Sequence, residues 1–433
     1  MTPGFIEEKV TEQKSGKAIL VGVGLPTTGQ PTRDPDLDEL RGLATTAHYT
    51  PVADITQRLT AINPKTLIGS GKVEQIVESV RWHEPDVVIF DEALTPAQNK
   101  NLEKLFSCRV IDRHWLILEI FSEHARTREA KTQVELARLK YALPRLTKLW
   151  GHLSRQRGGI GLKEVGEKQI QLDKRLIRDQ IHKLEKKLKD IDRERAVQRK
   201  SRRDAYQAAL VGYTNVGKST LMNCLTDSAT LVENKLFATL DATVRKVTKN
   251  FPYPILMTDT VGLIDKLPHD LVASFKSTID EVRDADLLLH VVDISHPEYR
   301  RQMKTAEDLL NELGAVENAD ILLVFNKTDR INAEQREEAR LAWPEAVFVS
   351  CKKEEGLDDL RKAIIARYEK RLRPVNVVLD YDKAPLLSQI RKNALIVSEQ
   401  YDEDAIRLDL RVRPERRDRL MQLLNSAGHN GAG

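Results

Sequence analysis

The sequence predicts an α/β protein: two mostly parallel sheets, an antiparallel two-helix arm between them, and a small α+β unit at the C-terminal end. Three observations predict it. Strand-like apolar runs alternate with amphipathic stretches in two separate parts of the chain, the βαβ signature of a sheet flanked by helices. Two seams of Leu and Ile at heptad spacing lie between those parts. A glycine-rich turn carrying a lysine closes one of the strands and opens a helix.

The first α/β unit is read over residues 17–124, after a segment 1–16 expected to be disordered. AILVGV, LDELRGLATT, TLIG, VEQIVESVRW, DVVIF, NKNLEKLF and CRVID alternate between the two patterns. Gly69-Ser70-Gly71-Lys72 falls between a short strand and a helix, where it can cradle a phosphate. It lacks full P-loop spacing, and a tight turn capping the helix is the preferred reading.

The arm is read over residues 125–203. Leu136, Leu139, Leu143, Leu146 and Trp150 form one seam, and Ile177, Ile181, Leu184, Leu188 and Ile191 the other. Each seam needs a partner to bury it, and the simplest partner is the other. Pro144 kinks the first helix or marks its end. GHLSRQRGGIGLKEVGEKQIQ joins the seams as a glycine-rich loop with Arg155, Arg157, Lys163 and Lys168. From Arg126 to Arg203 there are 24 Lys/Arg against 10 Asp/Glu. That net of +14 leaves −10 for the rest of a chain whose total is +4. So dense a basic block points to a polyanionic partner, nucleic acid first, against the alternative of a solvated face of i,i+4 ion pairs.

The second α/β unit, residues 204–372, carries the chemistry. Gly212, Tyr213, Thr214, Asn215, Val216, Gly217, Lys218, Ser219 and Thr220 follow the strand-like AYQAALV and open the helix-like STLMNCL, the setting a P-loop requires. Glycines turn successive N–H groups toward a phosphate, Lys218 places a charge between the β- and γ-phosphates, and the Ser219 hydroxyl suits Mg²⁺. Asp259, Thr260, Val261 and Gly262 close the strand-like PILM; Asp259 can hold Mg²⁺ through water and the Gly262 N–H can sense a γ-phosphate. Asn326, Lys327, Thr328 and Asp329 close ILLVF at the edge where α/β sheets place ligands. The Asp329 carboxylate can accept from both N1–H and the exocyclic amine of guanine, a donor pair adenine lacks. Ser350, Cys351 and Lys352 follow AVFV and offer a backbone N–H to the guanine O6.

Phe237, Ala238, Thr239, Leu240 and Asp241 lie between the P-loop and Asp259, where a nucleotide-sensing switch belongs. Thr239 is the expected second Mg²⁺ ligand, with Thr243 as its rival. Lys218, Thr239 and Gly262 are the expected catalytic groups. The residue after Gly262 is Leu263, whose side chain cannot orient water as the glutamine of Ras-like enzymes does, so intrinsic hydrolysis is expected to be slow. The fourth unit, 373–425, has strand-like NALIVSEQY and AIRLDLRV before helix-like PERRDRLMQLL, and the tail 426–433 is expected to be disordered.

Composition bounds the setting. Hydrophobic residues at 41% and charged residues at 31% of 433 suit a soluble protein of roughly three domains. No apolar run reaches the ~18 residues of a membrane span, and the N-terminal stretch lacks the apolar core of a secretory signal. Cys108, Cys224 and Cys351 show no metal-ligand spacing and read as reduced thiols in a cytoplasmic protein.

With these residues in hand, the chain resembles the HflX family of ribosome-associated GTPases over nearly its whole length. VIDRHWLILEIF, KTQVELARLKYALPRL, RGGIGL, GYTNVGKSTLMN, FATLDATVR, TDTVGLIDKLPHDLVASFKSTIDEV and DLLLHVVD carry the resemblance. It implies a P-loop G domain with an N-terminal α/β domain, a helical-hairpin arm and a small C-terminal α+β domain. It also implies GTP or GDP as ligand with Mg²⁺, and the large ribosomal subunit and its RNA as partner, with separation of ribosomal subunits as the task. Asn215 matches the P-loop asparagine by which related GTPases hold an activating K⁺. The chain departs from the family at Glu164 and Val165, where Gly and Pro are usual. A negative charge and a bulkier side chain at the arm tip mark it as a candidate specialised paralogue. The leading expectation is a monomeric, GTP-gated ribosome-binding factor of the cytoplasm, at the ribosome or a membrane surface. The alternatives are a G-protein switch with a non-ribosomal partner, and an RNA-remodelling NTPase with a second nucleotide at Gly69–Lys72.

Overall fold

The computed structural model describes residues 16–24, 37–145, 162–202, 205–226, 236–237, 243–247, 251, 255–266, 276–312, 314–315 and 319–426. The N-terminal sheet contains β1 (Gly16–Gly24), β2 (Tyr49–Arg58), β3 (Val87–Phe90) and β4 (Arg109–Asp112) in the order β2-β1-β3-β4, parallel throughout. Side chains alternate between its faces. Ala18, Leu20, Val87 and Ile89 pack with Leu40, Leu43, Ile117 and Phe121 on one side. Ile19, Val21, Val88 and Phe90 pack with Ile68, Ile76, Leu102 and Phe106 on the other. Helices on both faces are what turns such two-sided runs into a parallel sheet.

The expected TLIG strand is instead a turn closed by an Asn63–Leu67 bridge. The strand at this point is β2, which the sequence conceals. It is an edge strand, and Pro51, which donates no N–H, sits where the pairing with β1 slips between Ala18 and Ile19. Gly69 does cap the helix Ser70–His83, and Lys72 is engaged by Gln75 at 2.7 Å.

The arm folds as an antiparallel pair. Thr127 caps the helix Arg128–Ala142 by accepting from the Ala130 N–H, and the helix gives way to a 3₁₀ turn over 143–145 at Pro144. The second helix is Leu162–Arg202. Leu136, Leu139, Ile177 and Leu184 form a buried seam flanked by Leu143, Ile181 and Leu188, and Ile191 is buried further along. Glu129 pairs with Arg195 and Lys140 with Glu185, so the helices run in opposite directions. Leu146 and Trp150 lie outside the described residues, as do residues 151–161 of the connecting loop. The second helix begins nine residues before the end of the expected loop at Gln171, so Glu164 and Val165 stand in its first turn. Helix-favouring Lys, Glu and Gln in LKEVGEKQIQ outweigh the ~1 kcal/mol cost of Gly166.

The second sheet contains β5 (Tyr206–Val211), β6 (Thr243–Val247), β7 (Ile255–Asp259), β8 (Leu287–Asp293), β9 (Asp320–Asn326) and β10 (Val347–Phe348), in the order β10-β9-β8-β5-β7-β6. All neighbours are parallel except β6 and β7. The C-terminal sheet is antiparallel, β11 (Arg373–Asp380), β13 (Ala405–Val412), β12 (Leu395–Tyr401), with Ile406, Leu408, Leu410 and Leu420 in its core. Sequence reading missed β11, whose inward residues Val377 and Leu379 alternate with exposed Asn376, Val378 and Asp380. Apart from Gly16 and Ser426, which belong to β1 and the last helix, the segments expected to be disordered lie outside the described residues. Among the described residues no helix is long and apolar enough to cross a membrane.

Candidate nucleotide site

Four loops from separate stretches of sequence meet at the carboxyl edge of the six-stranded sheet. The P-loop leaves β5, and the helix Lys218–Leu225 begins immediately after it. Its path depends on two glycines. Gly212 has φ +145°, and a Cβ there would stand 2.2 Å from the Val291 carbonyl oxygen. Gly217 has φ +96°, and a Cβ would lie 2.4 Å from Asn326 Nδ2. No L-side chain suits either position.

Lys218 is buried, and its Nζ donates to the carbonyls of Gly212 (3.1 Å) and Tyr213 (2.7 Å). Burial pulls its pKa down to about 8, opposed by the Asp259 carboxylate. The Ser219 hydroxyl donates to Asp259 Oδ2 at 2.6 Å. A hydroxyl and a carboxylate oxygen side by side at the phosphate end of a P-loop are a hard donor pair that would suit Mg²⁺.

The loop after β7 carries Thr260, Val261 and Gly262. Thr260 Oγ1 donates to the Leu210 carbonyl at 2.6 Å, and Gly262 runs beside Thr214. Reciprocal backbone hydrogen bonds, Thr214 N to Leu263 O (2.9 Å) and Leu263 N to Gly212 O (3.0 Å), tie this loop to the P-loop. Leu263 packs against the apolar group of Ala209, Val211, Val282 and Leu288. It is half-buried against that group, and its apolar side chain offers no hydrogen bond to a water.

The loops after β9 and β10 form the other half. Asn326 Nδ2 donates to the Val216 carbonyl (2.9 Å), and its Oδ1 accepts from the Cys351 N–H (3.3 Å), so one amide joins three loops. Lys327, in a left-handed conformation at φ 61°, reaches the Asn215 carbonyl (2.8 Å) and Asp293 Oδ2 (2.6 Å). The Ser350 hydroxyl donates to Asp329 Oδ1 at 2.6 Å and lowers its pKa. Asn215 is exposed, with φ 59°; Thr220 follows Ser219 in the first turn of the helix, Thr328 Oγ1 donates to the Val349 carbonyl (3.0 Å), and Lys352 follows Cys351. Phe237 is buried, whereas Ala238, Thr239, Leu240 and Asp241 lie outside the described residues.

Sequence reading missed several residues that serve this site. Asp293, which holds Lys327, ends β8 in register with Asn326, and the strand-end rule applied to DLLLHVVD finds it. His290, buried on the same strand, is pushed down to about 4 by burial and the nearby Lys218. A third set, Glu39, Asp91, Glu92, Arg113, Phe121, Asp265 and Lys266, carries no sequence signal because it joins the two α/β units, where it meets Tyr213 and Phe237. Tyr213 donates its hydroxyl to Glu39 and accepts from the Asp265 N–H at 2.8 Å. Arg113 is buried, donating to Glu39 (2.6 Å), Asp91 (2.7 Å) and the Asp265 carbonyl (3.1 Å). Lys266 pairs with Asp91 (2.7 Å) and with Glu92. Phe237 meets Phe121 edge-to-face, with centroids 4.7 Å apart.

Comparison with known proteins places these features. Residues 34–122 match a family described as GTP-binding GTPase N-terminal, 124–202 the GTP-binding GTPase middle region, and 207–327 the 50S ribosome-binding GTPase family. The chain is 44% identical over 414 residues to a GTPase HflX of Magnetococcus marinus, covering 93% of this chain and 94% of that one. It is 42% identical over 412 residues to a GTPase HflX of Flavobacterium psychrophilum, covering 90% and 98%. A crystal structure of a GTP-binding protein from the archaeon Sulfolobus solfataricus in complex with GDP covers 82% of this chain and 99% of that one, at 25% identity and TM-score 0.43.

Proposed function

The chain belongs to the HflX family of GTPases and hydrolyses GTP, and from that premise we propose that it binds the large ribosomal subunit in its GTP state, releases it on hydrolysis, and acts in splitting or rescuing ribosomes. The observation that carries this reading is the junction between the two α/β units. Phe237, at the head of the expected switch, and Asp265 and Lys266, just past the Asp259–Gly262 loop, are both gripped by the N-terminal unit. A change of nucleotide that rearranges either segment is then felt by the N-terminal unit and the basic arm that follows it. The division at 17–124, 125–203, 204–372 and 373–425 belongs to the same proposal.

In this reading Gly212–Thr220 hold the phosphates, Lys218 meets the β- and γ-oxygens, and the Gly262 N–H senses the γ-phosphate. Asp329 selects guanine, Lys327 lies along the base, and the Ser350–Lys352 backbone meets the O6. Phe237–Asp241 act as the switch. Ser219, Thr239 and, through water, Asp259 would hold Mg²⁺, which neutralises charge on the β- and γ-phosphates. Asn215 would hold K⁺, since the apolar side chain of Leu263 leaves no glutamine route. Turnover in KCl above that in NaCl supports this last assignment, and equal rates remove it.

The function is tested by co-sedimentation of the protein with large subunits in GDP or a non-hydrolysable GTP analogue across a salt series. Retention with the analogue, falling steeply with salt, is the expected result, because basic arm contacts to phosphates release counterions. Equal retention in both nucleotides, or none, would remove the GTP gate.

A further inference from the structure

Cys224 and Cys351 stand 127 positions apart in sequence and meet in the fold. Cys224 lies at the end of the helix that starts at the P-loop, and Cys351 is the middle residue of the loop after β10. The Cys224 S–H donates to the Cys351 carbonyl oxygen across 3.7 Å, which brings the first cysteine's sulfur against the second cysteine's own backbone. Cys351 is buried, while Cys224 is partly open to solvent. The neighbouring Cys351 and the Arg361 charge favour the Cys224 thiolate against partial burial and Glu354, while Cys224 and burial push the Cys351 thiol up. An accessible sulfur with thiolate character beside a second thiol is the arrangement of a nucleophilic and a resolving cysteine. Cys108 differs on each count: its S–H donates to the Pro85 carbonyl at 3.3 Å, burial raises its pKa, and no cysteine adjoins it among the described residues.

We propose that Cys224 and Cys351 are a dithiol oxidised by hydroperoxides, whose disulfide disables the guanine side of the nucleotide site. The inference rests on the reading of Ser350–Lys352 as the guanine loop. The Cys224 thiolate attacks one oxygen of the hydroperoxide and the O–O bond breaks. The sulfur becomes a sulfenic acid, and the other oxygen leaves as an alcohol, or as water from hydrogen peroxide, after taking a proton. The Cys351 thiol then attacks the sulfenic sulfur, the S–S bond forms, and water leaves. Two thiols lose two electrons and two protons in total, and the peroxide takes them up.

The Cys224 sulfur is hydrogen-bonded to the Cys351 carbonyl oxygen, so bonding it to the Cys351 sulfur instead breaks that contact and shifts the Cys351 backbone against the helix. That backbone carries the N–H bonded to Asn326 Oδ1 and adjoins the Ser350 hydroxyl bonded to Asp329. Moving it disturbs the amide that joins three loops and the carboxylate that reads the base. By linkage, bound guanine nucleotide opposes closure to the same extent.

The test treats the full-length protein with hydrogen peroxide, with and without GDP, then maps cysteine peptides by mass spectrometry and titrates GDP by calorimetry. The expected result is a Cys224–Cys351 disulfide with Cys108 still free, slowed by GDP and reversed by dithiothreitol. GDP affinity falls about tenfold or more in the oxidised protein. Cys224→Ser binds GDP as the reduced protein does and keeps that affinity after peroxide. Separate oxidation of the thiols without the cross-link overturns the proposal, as does a cross-linked protein that binds GDP unchanged. Reduced protein that binds no GDP overturns the guanine-loop reading instead, while the peptide map still reports on the dithiol.

Discussion

A carboxylate selects a base best when it is held still, and in the proposed guanine site the Ser350 hydroxyl holds Asp329 and further favours its charged form. Asp329→Asn should therefore lower GDP affinity by about 2 kcal/mol, the loss of charge-assisted hydrogen bonds. Xanthine nucleotides should gain, because the amide can donate to the carbonyl that replaces the exocyclic amine; calorimetry with both ligands checks the exchange. His290 gives a second prediction. It stays neutral in the fold down to about 4 against 6.5 for an ordinary histidine. Between those values the unfolded chain binds more protons, so stability is lost as pH falls from 6.5 toward 4. The loss should approach about 3 kcal/mol. His290→Leu should flatten the dependence of stability on pH across that window, measured by urea denaturation at a series of pH values; an unchanged slope would assign the acid sensitivity elsewhere.

At the scale of elements, sequence pattern and structure agree wherever local chemistry and burial point the same way. The runs that became β1, β3, β8 and β9 are apolar because both faces are covered, and the two arm seams are apolar because they face each other. Each of the four loops that meet at the sheet edge was legible from its place after a strand-like run, β5, β7, β9 or β10. Three strands escaped because nothing local announces them: β2 is an edge carrying Pro51, β6 is an edge in which Val247 alone is buried, and β11 buries only alternate residues. Leu263 shows the limit from the other side. Its position after Gly262 invites reading as a failed catalytic residue, yet its side chain packs, half-buried, against the core group of Ala209 and Leu288. Leu263→Gln should accordingly gain no GTP turnover and lose about 1–3 kcal/mol of stability by burying an amide, measured by steady-state hydrolysis and thermal melting. A faster enzyme would mean that the side chain can swing out to the nucleotide.

The scale of the whole molecule is where sequence said least, because the residues that join the two α/β units are charged and read as surface. Arg113, in VIDRHW, is buried between Glu39 and Asp91 and caps the Asp265 carbonyl, while Lys266 returns from the G domain to Asp91 and Glu92. The two lysine and arginine charges on Asp91 hold its carboxyl below the ordinary range despite burial. Such a junction is firm while complete and weak once broken, since removing one partner leaves buried charge behind. Arg113→Met should cost about 3–5 kcal/mol on that account, lowering the melting temperature. If stability were the whole role, a complementary repair of the core would restore function fully. A junction that also transmits nucleotide state predicts more. In the native protein, exchanging GDP for a GTP analogue should alter amide hydrogen exchange in 113–124 and in the arm helix Arg128–Ala142, whereas in Arg113→Met the change should stop at the G domain. Hydrogen exchange read peptide by peptide distinguishes the two roles, because a purely structural arginine would raise exchange throughout the N-terminal unit equally in both nucleotides.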